Sequence, residues 1–114
     1  MNWKILSSEY LTRYFYFTAR KDVCETPEGK IIDPYYVVEQ DPSVCALGIT
    51  EDGFALMVKQ YRHPIEQTIL EIPGGFIDKG ESPLEAVARE MLEETGYEFS
   101  SYEQVCRSLL TPAF

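Results

Sequence analysis

Residues 82–96 constrain this chain more than any other stretch. Ser82-Pro83-Leu84-Glu85 is a capping box with proline at the first helical position. Such a start satisfies free N–H groups of the first turn and presets its φ. Gly96 offers the residue type that most readily closes a helix in the left-handed conformation. Between these limits Leu84, Val87, Ala88, Met91, Leu92 and Thr95 recur at helical spacing as one apolar stripe. Glu90, Glu93 and Glu94, at i, i+3 and i+4, share roughly 100° of arc on the opposite side. A fold that accepts this helix must cover the stripe and find a use for the carboxylates.

Ahead of the helix the chain reads as strands. Residues 11–18 are aromatic-rich, and residues 22–24 continue them towards a turn at Thr26-Pro27-Glu28-Gly29. Residues 31–39 return as the hairpin partner, and Pro34, which lacks a donor, predicts a break or a sheet edge there. The cluster Tyr14, Phe15, Tyr16 and Phe17 reads as a sheet face and dimer contact. Asp41-Pro42 punctuates the chain, dividing a small antiparallel β segment, 1–41, from a domain at 42–114. Residues 44–50 and 54–61 form a second hairpin across Glu51-Asp52-Gly53. Residues 68–72 are a further short strand running into Pro73-Gly74-Gly75, and 97–99 and 104–110 read as strand after the helix. The class is α+β with one helix.

Composition bounds the partners. A net charge of −9 over 114 residues opposes a duplex nucleic-acid partner, which needs a basic stripe to replace phosphate counterions. Cys24, Cys45 and Cys106, odd in number and widely spaced, suit reduced and mostly buried thiols in a cytoplasmic protein. No stretch has the length of a signal-peptide core or of a membrane helix, so no membrane partner is expected.

The charge is not evenly spread. Five of the 19 acidic residues lie between Glu81 and Glu94, where Arg89 is the only base, a net −4. Neighbouring carboxylates repel, and a helix that needed only solubility would intersperse lysine. A solvated acidic face is one reading. The other is a cation site, because the carboxylates share one side and the helix follows a glycine-rich loop able to approach a ligand. Oxygen-only donors suit Mg²⁺ or Mn²⁺ bound together with substrate phosphates, and several carboxylates can hold more than one ion.

Gly75, Glu81, Arg89-Glu90, Met91, Glu93-Glu94, Gly96 and Tyr97 meet every fixed position of the pattern G-x5-E-x7-R-E-U-x-E-E-x-G-U, U being apolar. On these residues the chain resembles the Nudix hydrolases. The resemblance implies an α/β/α sandwich with a mixed sheet and divalent-metal-dependent hydrolysis of a nucleoside diphosphate linked to another moiety. It also implies that Glu90, Glu93 and Glu94 are metal ligands, joined by the carbonyl of Gly74. Arg89 and Glu81 take supporting places in the catalytic set, where a fixed cation steadies clustered carboxylates.

The flanks resemble one branch. Val58 to Pro64, ahead of Glu71-Ile72-Pro73-Gly74-Gly75, is similar to enzymes that cleave ADP-ribose and other nucleoside diphosphate sugars. There the arginine at Arg62 reaches the substrate phosphates and the carboxylate at Glu71 lies near the nucleotide. A strand-rich N-terminal segment is typical of that branch and commonly helps build a homodimer. Thr111-Pro112-Ala113 stands where the branch carries a Ser-Pro-Gly-like turn, with alanine as a departure. Tyr35 and Tyr36 either stack on the nucleobase or pack within their strand, and Arg62 is otherwise a surface residue at a strand end.

In the Nudix fold further strand and a final helix follow the position of Pro112, and the branch's general base is a glutamate in that portion. The expectation is therefore a chain that is C-terminally incomplete. Three functions stay open. The first is a nucleoside-diphosphate-sugar pyrophosphatase releasing a nucleoside monophosphate and a sugar phosphate. The second is a Nudix enzyme for nucleoside triphosphates or dinucleoside polyphosphates. The third is a non-catalytic nucleotide-sensing module.

Overall fold

The computed structural model describes residues 2–109. Contacts divide it into two compact units: the described parts of Met1–Gln40 and Cys106–Phe114, and Asp41–Val105.

The first unit is an antiparallel meander of β1 (Lys4–Tyr14), β2 (Phe17–Glu25) and β3 (Ile31–Glu39), in that order. The hairpin expected between 22–24 and 31–39 is present as β2–β3. The expected strand at 11–18 is instead cut by a turn, with Tyr14 paired to Phe17 across Phe15 and Tyr16. Side chains of β propensity are tolerated there because neither turn residue takes a positive φ. Pro34 lies on the edge strand, where the β2–β3 register shifts between Asp22 and Cys24, so its missing donor breaks no interior ladder. Arg20 on β2 is held between Asp22 and Glu39, and Tyr10 donates to Glu39 from β1 at 3.2 Å. The Ser8 hydroxyl opposite Asp22, and then Arg20, hold the Asp22 carboxyl below its ordinary range.

The second unit holds three two-stranded antiparallel ladders and one helix. β4 (Ser43–Cys45) pairs with β9 (Gly74–Phe76), β5 (Gly48–Ile49) with β6 (Ala55–Leu56), and β7 (Val58–Arg62) with β8 (Gln67–Glu71). The expected second hairpin is thus only its turn-proximal part, β5–β6. Residues 58–62 leave it to pair with the strand expected at 68–72, across a 3-10 turn at His63–Ile65. Pro73-Gly74-Gly75, expected as a connecting loop, contributes two residues to a strand.

α1 (Pro83–Thr95) starts and stops as its residues dictate. Ser82 Oγ accepts from the Glu85 N–H at 3.3 Å, Glu85 Oε2 accepts from the Ser82 N–H at 2.8 Å, and Gly96 closes the helix at φ 75°. A cap of this kind is worth about 1 kcal/mol. The helix packs on β9 and β4, burying Ala86, Val87 and Met91. Burying side chains the size of Val87 or Met91 contributes about 1.5–3 kcal/mol each. Leu84 and Leu92, counted in the apolar stripe, are exposed, and Ala86 takes a core place instead. The contact face is therefore rotated from the stripe by about one residue.

Residues 97–99 and 104–109 form no strand, contrary to expectation, and residue 110 lies outside the described residues. Among the described residues they pair with no strand, and aromatic or branched side chains alone do not make a sheet. Only Cys24 of the three free thiols is buried; Cys45 and Cys106 are exposed, which corrects the reading of mostly buried cysteines. Among the described residues no helix is long and apolar enough to cross a membrane.

Candidate functional site

The glutamates of α1 reach their places through the packing of the helix on β9. With Ala86, Val87 and Met91 inward, Glu90 and Glu94 flank the contact and turn towards the Gly74-Gly75 backbone, while Glu93 stays 59% exposed. A Cβ at Gly75 would collide with the Glu90 carboxylate, so only glycine lets this side chain come so close to the strand. Glu94 Oε2 accepts from the Gly74 N–H at 2.9 Å. Its Oε1 accepts from the side-chain amide of Gln60 on β7, also at 2.9 Å.

Arg89 is the organising cation. Nε and Nη2 donate to Glu81 Oε1 and Oε2, each at 2.9 Å, a bidentate pair. Nη2 also donates to the Phe76 carbonyl at 3.0 Å, anchoring the guanidinium to β9. Nη1 reaches Glu90 Oε1 at 2.7 Å and Glu93 Oε2 at 3.5 Å. Glu81 is further fixed by the Asp78 N–H at 3.0 Å. Arg89 first, and then that backbone donor, pull the Glu81 carboxyl down to about 2. Glu81 and then Glu90 in turn raise the guanidinium pKa above its already high ordinary value. Both groups are locked in their charged forms.

The donor set fits a hard divalent cation in type. Glu90, Glu93 and Glu94 offer only oxygens, and Arg89 Nη1 holds a positive charge between the first two. The side chains are not drawn together around one point, however. Among the described residues no three acidic, histidine or cysteine side chains form a closed ligand group. The physical reason is visible: Arg89 takes up Glu90 and Glu93, whereas Gln60 and Gly74 hold Glu94.

Arg62 and Glu71 meet on the β7–β8 ladder. Arg62 Nε donates to Glu71 Oε1 at 2.8 Å, and Nη2 makes a second, shorter bond to Oε2. The pair lowers the Glu71 carboxyl pKa and raises that of Arg62, each mainly through these hydrogen bonds. Tyr35 and Tyr36 lie on β3 in the first unit. Tyr35 meets Trp3 edge-on at 5.9 Å, and Tyr36 is 60% exposed. The turn at 111–113 lies outside the described residues.

Sequence reasoning missed Gln60. Its signal was there in the strand period of two, which puts it on the same side of β7 as Arg62.

Residues 39–113 match the family model described as NUDIX domain, and residues 3–38 match the nucleoside diphosphate sugar hydrolase N-terminal domain. An ADP-ribose pyrophosphatase of Bacillus subtilis (strain 168) is 39% identical over 90 residues, covering 79% of this chain and 48% of that protein. A methanol dehydrogenase activator of Bacillus methanolicus is 38% identical over 93 residues, 82% of this chain and 50% of the relative. An ADP-ribose pyrophosphatase of Mycobacterium tuberculosis is 32% identical over 114 residues, 99% of this chain and 55% of the relative. The crystal structure of an ADP compounds hydrolase superposes with a TM-score of 0.88 at 25% identity, over 100% of this chain and 62% of that one. The chain spans about half the length of the curated relatives it matches.

Proposed function

The chain belongs to the Nudix family, and from that premise we propose that the protein hydrolyses the diphosphate bond of a nucleoside diphosphate sugar such as ADP-ribose. The observation that carries this reading is the juxtaposition of Glu90 and Glu94 with the Gly74-Gly75 backbone, next to a cation-holding network centred on Arg89. The N-terminal match at 3–38 and the relatives named ADP-ribose pyrophosphatase support the sugar-linked substrate over a nucleoside triphosphate.

Glu90, Glu93 and Glu94, with the Gly74 carbonyl, would hold Mg²⁺ or Mn²⁺, in more than one ion. When bound, such ions neutralise the diphosphate and lower the pKa of an attacking water. The chain's own residues do the rest. Glu81 keeps Arg89 against β9, and Arg89 keeps Glu90 and Glu93 from repelling each other before substrate arrives. Arg62, half-exposed at the end of β7, exchanges Glu71 for a substrate phosphate, leaving Glu71 beside the nucleotide. Tyr35 and Tyr36 are the proposed nucleobase contacts. Water adds to one phosphorus, the bridging oxygen leaves with the other, and a nucleoside monophosphate and a sugar phosphate result.

We place the protein in the cytoplasm as a homodimer. The free thiols support the compartment. The dimer is supported by β1, a sheet-edge strand of 11 residues that exposes Ile5, Leu6 and Leu11. The deciding experiment is a panel of ADP-ribose, other nucleoside diphosphate sugars, ATP and a dinucleoside polyphosphate with Mg²⁺ or Mn²⁺, scored by released monoester. ADP-ribose or a relative should be turned over fastest. Preference for ATP would overturn the substrate class, and tight binding without turnover would make the protein a sensor.

A further inference from the structure

We propose that Gln60 is the positioning residue for Glu94, setting that carboxylate for a cation from the sheet side; the inference rests on the metal-dependent function above. A carboxylate only accepts, so the amide nitrogen must be the end of Gln60 that faces Glu94. Nε2 donates to Oε1 at 2.9 Å while the Gly74 N–H donates to Oε2 at the same distance. Each oxygen is thus fixed by one neutral donor, and the carboxylate's other lone pairs remain for an ion.

Glu90 and Glu93 are held differently. Both depend on Arg89 Nη1, a full positive charge that orients them and also competes with any incoming ion. A neutral amide orients without neutralising. Glu94 is therefore hydrogen-bonded by neutral donors alone, whereas its two companions are bonded to a cationic one that an ion must displace. On this geometry Glu94 is the entry ligand, and Gln60 is what keeps it ready.

The strand explains how Gln60 gets there. Val58, Gln60 and Arg62 alternate onto one side of β7, and Glu71, paired opposite Val58, lies on the same side of β8. Gln60 therefore shares one sheet face with the Arg62–Glu71 pair, and its amide reaches Glu94 on α1. One sheet face carries the proposed phosphate contact and the support of the metal ligand, so the spacing between the two is set by a single strand.

The test uses the full-length protein without substrate. Mn²⁺ binding is followed by electron paramagnetic resonance for wild type, Gln60→Met and Glu94→Gln. Gln60→Met keeps the side chain's length and removes the donor. Loss of a group that orients a ligand costs about 10–100-fold in metal affinity, and Gln60→Met should lie in that range. Its melting temperature in a chelator should stay near that of wild type, which separates positioning from a structural role. Full Mn²⁺ affinity in Gln60→Met beside weakened binding in Glu94→Gln overturns the role of Gln60 and leaves the metal site standing. Unchanged affinity in Glu94→Gln removes both. Should Gln60→Met fail to fold, the wild type answers alone. The side-chain amide resonances of Gln60 should shift with added Mg²⁺ along the binding isotherm, and resonances that stay still refute the proposal.

Discussion

Arg89 and Glu81 meet through two parallel hydrogen bonds of 2.9 Å, across the turn that leads from β9 into α1. The pair joins the loop to the helix face that carries Glu90 and Glu93, and it leaves Nη1 free to serve those two carboxylates. Loop and helix glutamates are thereby one electrostatic unit with Arg89 at its centre.

That pair makes stability depend on acidity in a stated window. The Glu81 carboxyl falls from an ordinary 4.5 to about 2 in the folded chain, chiefly through Arg89. A group with a depressed folded pKa contributes stability above its unfolded value and loses it as pH drops through the folded one. The contribution is therefore complete above pH 4.5 and fades towards pH 2. Wild type should melt above E81Q at neutral pH, and the gap should narrow as pH falls through that window. A gap that stays constant would contradict the ion pair.

Gly74 and Gly75 should respond oppositely to alanine. At Gly75 the added methyl meets the Glu90 carboxylate, the movable end of a side chain. G75A should fold with a melting temperature near that of wild type and bind Mn²⁺ about tenfold or more weakly. At Gly74 the methyl meets the Val44 carbonyl and the Cys45 backbone, which cannot move without opening the β4–β9 pairing. G74A should lose stability first. Thermal melting with parallel Mn²⁺ titration distinguishes the two, and equal behaviour would contradict the assigned contacts.

Arg62 should act on substrate binding. A charge-assisted hydrogen bond to phosphate is worth about 1.5–3 kcal/mol, less at a half-exposed site. R62A should raise KM for ADP-ribose about tenfold with a smaller change in kcat, and R62K should recover part of the loss, since it keeps the charge without the fork. Steady-state kinetics decide it; an unchanged KM would leave Arg62 as a partner of Glu71 only.

The helix was legible because its determinants are local: a capping box, a proline at the first turn and a glycine at the end lie within one short window. The identity of the carboxylates was legible from their spacing, but their division between Arg89 and the pair Gln60 and Gly74 depends on strands that meet α1 only in the folded chain. The turn at Phe15-Tyr16 was hidden because both residues keep negative φ, so the sequence needs no glycine or asparagine there. Pro73-Gly74-Gly75 reads as a loop by composition, and its two glycines join β9 because bare backbone is what lets β4 and Glu90 approach from two sides. Residues 97–99 and 104–109 failed as strands for the converse reason. Their side chains have the propensity, but Val105 and Leu109 are exposed and the described chain gives them no partner.

Turnover of ADP-ribose by the full-length E94Q variant with Mg²⁺, beside wild type, tests the central claim most directly. The substitution keeps shape and removes the charge that a cation requires. Groups that only orient a ligand cost about 10–100-fold, so removing a ligand charge should cut kcat by more than about a hundredfold while the melting temperature in a chelator stays close to wild type. Near-normal turnover by a folded E94Q protein would contradict the metal site on α1.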